Sequence, residues 1–553
     1  MKRLLCCLCA LFIALSLLSP PAVAEELNLS ELYKTKDVDA TWSAASATTV
    51  DLNALGGAAV LISAGGDYVL TGAWNGQIIV EAPEDQKVRL ILNGVTIASP
   101  EGPAIYEKQA DKLIVTLAEG TVNTLTDGAA IGDGDDTIGA ALYAEDDLSI
   151  NGSGALLLNG TQKHGIQSKA DLIIAGGDIT VTAQSDAVRG KNSVLVLDGS
   201  LRITSQGDGI VATREDREDK GWVVIAGGTI DITTGSGAGT PKQSANSQRG
   251  GMGRGWGQQT YYSTSAADTV SQKGVKAATT LTVVGGSLTL NCADDGLHAV
   301  NVTVAGGTFS ILTGDDGMHA DEEMVVTSGV IDIAQCYEGI EGKNVTIAGG
   351  DIRVVASDDG INAAGGNDGS GLDGGWGRGW GESATNNLLT ISGGALQVTA
   401  GGDGLDSNGS ILITGGVTGV YATTSTGEGA IDFNGTGVVE GGLLIIASTN
   451  GTMQDTASLT GSPLISIPLT GTQAASTLIQ VYGADGALLG SFTPASSFDT
   501  LVLAGSGVAV GNTIQVYCGQ QNVFSGAITS SMTSLSSGGY GGGFGTRMNR
   551  RGH

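Results

Sequence analysis

Along most of the chain, aliphatic residues come in runs of three or four, broken by glycines. Leu172-Ile173-Ile174, then Ala175-Gly176-Gly177, then Ile179-Thr180-Val181 is one such unit. Runs this short, rich in Val, Ile, Leu and Thr and bounded by glycine, predict strands, and the helical signal is poor throughout. A second mark travels with them: an acidic or small residue, Gly or Ala, an aliphatic, a polar residue and often Ala. It reads Asp208-Gly209-Ile210-Val211-Ala212, Asp295-Gly296-Leu297-His298-Ala299 and Asp316-Gly317-Met318-His319-Ala320. It returns as Glu338-Gly339-Ile340-Glu341, Asp359-Gly360-Ile361-Asn362-Ala363 and Asp403-Gly404-Leu405-Asp406. Weaker copies sit at Ala104, Ala141, Gly165, Ala187, Gly274 and Ala430.

The spacing of these marks predicts the architecture. Gly165, Ala187 and Gly209 are 22 residues apart, and Gly274, Gly296, Gly317, Gly339 and Gly360 follow at 22, 21, 22 and 21. The Gly-Gly pairs 176–177, 285–286, 306–307, 349–350 and 393–394 each end ten residues before the next motif Gly or Ala. Two marks in fixed phase predict an all-β solenoid, a right-handed parallel β-helix with coils of about 21–22 residues and three faces. Stacking coils at ~4.8 Å buries a continuous core that no single coil could bury. A propeller would need a period of about 40 residues or more. Cys292 and Cys336, two coils apart at nearly one phase, would then lie ~9.6 Å apart. That exceeds the ~7 Å a disulfide tolerates, so both are expected as free thiols.

The period divides the chain. Lys2 and Arg3, the apolar stretch Leu4–Ser19 and the small residues Ala22-Val23-Ala24 read as a signal peptide over 1–24, so the protein is expected outside the cell or on its surface. No later stretch is long and apolar enough to span a bilayer, and no membrane insertion is expected. Residues 25–67 are expected to cap the open core, and 68–454 to form the coils. Insertions at 235–271 and 364–386 interrupt them, one before the Gly274 turn and one after the Gly360 turn. Residues 455–530 read as a small β cap or module with a hairpin around Ala484-Asp485-Gly486. The glycine-rich tail, 531–553, is expected to be disordered.

Composition narrows the function. Glycine accounts for 90 of 553 residues, and only three cysteines, Cys292, Cys336 and Cys518, lie beyond the signal segment, which argues against a disulfide framework. The net charge of −29 disfavours nucleic acid, which needs a basic surface. It suits a cationic ligand or calcium.

Candidate chemistry concentrates on one edge. Asp294, Asp295, Asp315, Asp316, Asp321, Glu338, Glu341, Asp358 and Asp359 fall on consecutive coils at nearly one phase. A ladder of like charges ~5 Å apart is costly without counter-charge, and calcium, with its oxygen ligands, answers that. The alternative is aspartate as a turn former bonding its local backbone. His298 and His319 occupy equivalent positions on neighbouring coils and are candidates for hydrogen bonding a sugar or an acidic neighbour, a transition metal being the alternative. Trp256 in the first insertion and Trp376 and Trp380 in the second can stack on sugar faces. Arg254 and Arg378 beside them can pair with an anionic sugar.

These residues resemble a known family. Val88–Ile97 (VRLILNGVTI), Ala104-Ile105-Tyr106, Asp111–Thr126 (DKLIVTLAEGTVNTLT), Asp315–Asp321 (DDGMHAD), Tyr337–Gly342 (YEGIEG) and Ser357–Ala363 (SDDGINA) are similar to the bacterial carbohydrate-binding domain-containing proteins. The resemblance covers roughly residues 30 to 530. It implies a β-helix like that of calcium-dependent polysaccharide lyases and binding of cellulose-like or acidic, uronate-bearing glycans. It also implies calcium ligands among Asp315, Asp316, Asp321, Glu338, Glu341, Asp358 and Asp359. The segment Asn362 to Glu382 departs from the family in its tryptophans, so no sugar contact is carried over there.

Three functions follow: a monomeric calcium-dependent binding protein for polysaccharide, a calcium-dependent pectate-type lyase, or a structural, adhesin-like solenoid. The lyase needs a base at the sugar C5, for which Arg189, Lys273 and Lys276 are the candidates. None of them stands in a convincing catalytic constellation.

Overall fold

The aliphatic runs form strands wherever they are described. The computed structural model describes residues 27–57, 59–132, 137–240, 270–364, 386–422, 429–449 and 455–529. The segment expected as signal peptide, residues 241–269 and 365–385 of the two insertions and the expected tail lie outside these residues. One short α-helix, Thr35–Val38, and brief 3-10 turns are the helical content described. Forty-one strands join in one large, mostly parallel sheet, and four more form a separate antiparallel sheet.

The in-phase marks become hydrogen-bonded ladders. Ile78, Ile105, Leu142, Ile166, Val188, Ile210, Val275, Leu297, Met318, Ile340, Ile361, Leu405 and Ile431 pair one to the next in parallel register. Every one of them is fully buried. From Ile105 onward these are the aliphatics that follow the motif Gly or Ala, so one side chain per repeat builds one wall of the core. A second ladder runs from Leu172 to Ile411, and a third from Leu156 to Leu396. Ile210 pairs with Val275 and Ile361 with Leu405, so both insertions leave the register intact.

Glycine sets how closely the strands stack. At the breaks, the second glycine takes a left-handed conformation, as at Gly307 (φ 96°) and Gly350 (φ 100°), where a side chain would be strained. The motif glycine has a different reason. A Cβ on Gly317 would lie 2.5 Å from the Gly339 carbonyl oxygen of the next repeat.

Three features differ from, or add to, the sequence reading. Parallel pairing begins inside the stretch expected as a cap, where Thr48–Asp51 pairs with Tyr68–Thr71. Gly-Gly pairs stand there at 56–57 and 65–66, but no copy of the Asp-Gly-aliphatic motif accompanies them to fix the phase. At the other end the strand Phe498–Gly505 turns back antiparallel onto Leu443–Ser448 and covers that sheet edge. The N-terminal segment is pinned by buried Asp37. Its carboxylate accepts from Lys112 Nζ (2.8 Å), Ser149 Oγ (2.7 Å) and the Lys34 N–H (2.7 Å). Cys292, Cys336 and Cys518 are buried free thiols, and burial pushes the Cys292 thiol up to about 12.

Candidate functional site

The polar residue after each motif aliphatic forms its own ladder outside the core wall. In order it runs Lys276, His298, His319, Glu341, Asn362, Asp406, Asp432. The motif carboxylates lie beside it, and their first task is structural. The Asp208 N–H donates to Asp186 Oδ1 (3.1 Å), Asp316 N–H to Asp295 Oδ1 (3.1 Å) and Glu338 N–H to Asp316 Oδ1 (3.2 Å). The same bond joins Asp403 N–H to Asp359 Oδ1 (2.6 Å) and Gly429 N–H to Asp403 Oδ1 (2.5 Å). Each carboxylate thus ties its turn to the next repeat, where the turn-former reading had placed a local bond.

The centre of the edge is buried and charged. Lys273 Nζ lies 2.5 Å from Asp295 Oδ2 and 3.2 Å from Asp294 Oδ1. Asp295 Oδ2 also meets His298 Nδ1 at 3.0 Å, and Asp316 Oδ2 meets His319 Nδ1 at 3.0 Å. The spacing Asp-Gly-aliphatic-His produces this contact twice, and in-register pairing stacks the two imidazoles, centroids 4.8 Å apart and 21° from parallel. His319 Nδ1 is also 2.7 Å from Glu341 Oε2. On the opposite ring edge, Asp321 Oδ1 lies 3.6 Å from His319 Nε2 and 4.0 Å from His298 Nε2.

Proton affinities follow this crowding. Burial works against the Asp295 carboxylate, yet Lys273 and then His298 hold it well below the usual range. Asp316, Glu338 and Asp359 are pushed well above it, first by burial and then by neighbouring carboxylates. Burial disfavours a charged His319, but Asp316, Asp321 and Glu341 overcome it and raise the imidazole. His319 in turn lowers Asp321.

This geometry revises several expectations. His319 has no exposed surface, and His298 is buried beside it, so neither ring is positioned to meet a sugar; stacking has turned both toward carboxylates. Oxygens of Asp295 and Asp316 already bond backbone N–H, imidazole and, for Asp295, ammonium. Glu338 accepts from Asn362 Nδ2 at 2.7 Å, and Tyr337 hydrogen-bonds Asp358. Among the candidate bases, Lys273 Nζ lies 2.5 Å from Asp295 Oδ2, Arg189 lies 2.5 Å from Asp186, and Lys276 contacts Ser271 Oγ at 3.3 Å. Trp256, Trp376, Trp380, Arg254 and Arg378 lie outside the described residues.

Two oxygen-only groups are brought together. Asp294, Asp295 and Asp315 have carboxylate oxygens within 4.8 Å of one another, and so do Asp403, Asp406 and Asp432. The second group was missed by the sequence reading, which ended the acidic ladder at Asp359. Its signal was there: Asp406 and Asp432 follow the motif aliphatics Leu405 and Ile431 at the phase of Glu341. Burial, then Asp455 and Asp406, push the Asp432 carboxyl up to about 7.

Comparison with known proteins gives three matches. A family model described as carbohydrate-binding domain-containing protein matches residues 56–317 and 315–476. A carbohydrate-binding domain-containing protein of Acetivibrio thermocellus is 38% identical over 128 residues, which is 22% of this chain and 45% of that protein. The match therefore spans less than half of that relative. A solved polysaccharide lyase-like protein from C. thermocellum, a gadolinium derivative, aligns at 25% identity with a TM-score of 0.36, over 48% of this chain and 93% of that one.

Proposed function

Because the chain belongs to the family of carbohydrate-binding domain-containing proteins, we propose that it is an exported, monomeric protein that binds polysaccharide outside the cell or at its surface. The observation that carries this reading is the extent of the family match, residues 56–317 and 315–476, which takes in the parallel ladders and the whole polar edge. The glycan class is cellulose-like or uronate-bearing, as the motif resemblance implies. The three ladders are read as the faces of a right-handed parallel β-helix spanning 68–454 with the insertions at 235–271 and 364–386, a cap over 25–67, a β module over 455–530 and a tail at 531–553.

Calcium is part of the proposal, at a different place from the middle of the ladder. It takes about six to eight oxygen ligands and does not choose imidazole or ammonium neighbours. Asp403, Asp406 and Asp432 offer oxygen alone, with Asp455 beside Asp432. That group fits calcium; Asp295, already bonded to Lys273 and His298, does not. Calcium would bridge these carboxylates to uronate carboxylates, which reconciles an acidic protein with an acidic glycan.

Pull-down on insoluble cellulose and on pectin, with and without chelator, tests the reading. Retention on at least one glycan, with pectin retention lost on chelation, is expected. Passage through both in calcium overturns carbohydrate binding and favours a structural solenoid. A steady rise in absorbance from unsaturated products on polygalacturonate overturns the binding-only reading in favour of a lyase. N-terminal sequencing of protein from the culture medium should begin at Glu25; an intact Met1 in the cell fraction alone would contradict export.

A further inference from the structure

We propose that the outer face of the separate antiparallel sheet is a second, calcium-independent binding platform, for a neutral glycan of the β-glucan class. The proposal rests on the reading of the chain as a polysaccharide-binding protein and gives the neutral class its own place on the molecule. The sheet consists of the strands Leu488–Phe492, Ile479–Gly483, Thr513–Cys518 and Gln521–Ala527, in that order across it. The family model ends at residue 476, before the first of them in the chain.

Alternation along the strands gives this sheet two unlike faces. Ile479, Val481, Ile514 and Val516 are buried and pack with Leu443 and Ile445 of the strand Leu443–Ser448. The residues that alternate with them, Gln480, Tyr482, Gln515 and Tyr517, stand on the opposite face and are part-exposed. Register pairs Gln480 with Tyr517 and Tyr482 with Gln515, so two phenol rings and two amides alternate across the face. Leu488, 51% exposed, continues the row beyond Tyr482, and Asn522 continues the other row beyond Tyr517. The two rings meet edge to face, centroids 5.8 Å apart and planes at 89°. Tyr517 Oη donates to Gln515 Oε1 at 3.0 Å. Side chains ordered before a ligand arrives lose less freedom on binding.

Charge identifies the occupant. In a chain of net charge −29, the charged residues between 456 and 529 are Asp485 and Asp499. Neither stands among the four: Asp485 lies in a turn, where its Oδ1 accepts from the Ala487 N–H, and Asp499 lies in the strand Phe498–Gly505 of the large sheet. A polyanion finds no cation on this face, and calcium finds no carboxylate cluster. A neutral glycan needs neither. A β-linked glucan carries its hydroxyls around the ring rim and leaves flat C–H faces. Tyrosine offers those faces an apolar ring with a polar handle, and each glutamine amide offers the hydroxyls both a donor and an acceptor.

The test is affinity electrophoresis of the full chain through native gels containing hydroxyethyl cellulose or polygalacturonate, each in calcium and in chelator. Hydroxyethyl cellulose is expected to retard wild type equally in both. Tyr482→Thr and Tyr517→Thr, which keep strand preference, should each weaken that retardation at least about 10-fold and leave polygalacturonate retention unchanged. Gln515→Thr should weaken it about 5-fold and keeps the test open if a tyrosine variant fails to fold. Asp406→Asn with Asp432→Asn should do the reverse, sparing hydroxyethyl cellulose. Unchanged retardation in folded Tyr482→Thr and Tyr517→Thr, or wild type retarded by polygalacturonate alone, overturns the platform and leaves carbohydrate binding standing. Wild type retarded by neither glycan overturns the broader reading and this one with it. Sedimentation of the same proteins reads the competing occupant: a wild-type dimer that becomes monomeric in Tyr482→Thr with retardation unchanged would assign the face to a second copy of the chain.

Discussion

Replacing Gly317 with alanine tests whether the motif glycine is demanded by stacking. Its backbone does not need the left-handed region, so conformation alone would permit alanine. Space would not: the new Cβ would sit 2.5 Å from the Gly339 carbonyl oxygen and 2.8 Å from Ile333 Cδ1 and Cγ2. Ordinary carbon–oxygen contacts are ~3.3–3.6 Å, so the neighbouring repeat must retreat by roughly 1 Å. The retreat strains the bonds from Met318 N–H to the Gly339 carbonyl (3.1 Å) and from Gly317 N–H to the Glu338 carbonyl (2.9 Å). Overpacking costs about 1–3 kcal/mol and each lost hydrogen bond about 1. The sum is about 3 kcal/mol or more. Gly56→Ala is the control, since a Cβ there meets nothing within 4 Å and the φ is ordinary; it should be neutral or stabilise by about 0.4–1 kcal/mol. Urea unfolding followed by circular dichroism reads both. If Gly317→Ala unfolds within about 0.5 kcal/mol of wild type, the stacking argument is wrong.

Other residues carry their own expectations. Lys273→Met removes the ammonium from buried Asp295 and should cost about 3–5 kcal/mol in urea unfolding; a wild-type midpoint would show that the pair is not buried in solution. Buried Glu107 has its carboxyl pushed up to about 7, chiefly by burial, against 4.5 for an ordinary glutamate. The native state therefore holds an extra proton between those values, and stability should decline as pH rises across them. Glu107→Gln should flatten that decline; an unchanged slope refutes the assignment. Burial works against the Asp37 carboxylate, but Lys112, Ser149 and Lys34 hold it below the usual range. Its contribution is complete above the unfolded value and is lost as pH falls through the lower folded one. Asp37→Asn should release residues 27–47 to limited proteolysis at neutral pH, and wild-type resistance would contradict the clamp.

The pattern of strands was legible because burial repeats once per stacked unit. An aliphatic after each motif Gly or Ala predicts a wall, and the register from Ile105 to Ile431 delivers it across both insertions. Phase along a chain says which residues are neighbours but not where their side chains end. The acidic ladder could thus be found from spacing, while the use of Asp295 and Asp316 as acceptors for the next repeat's N–H could not. Lys273 carries no repeat signal, yet it neutralises Asp295. The register shift between Ala320 and Glu323 shows only as a step from 21 to 22 in the spacing. Thr48–Asp51 belongs to the parallel sheet without an Asp-Gly-aliphatic motif beside it, so its pairing had no in-phase signature.

Carbohydrate recognition is tested most directly by calorimetric titration of the full chain with two ligands, oligogalacturonate and a cello-oligosaccharide, in calcium and again in chelator. Saturable heat is expected with at least one of them, with any oligogalacturonate signal abolished by chelator and reduced by the pair Asp406→Asn and Asp432→Asn. Flat titrations with both glycans in calcium, from protein that melts cooperatively, would contradict the account.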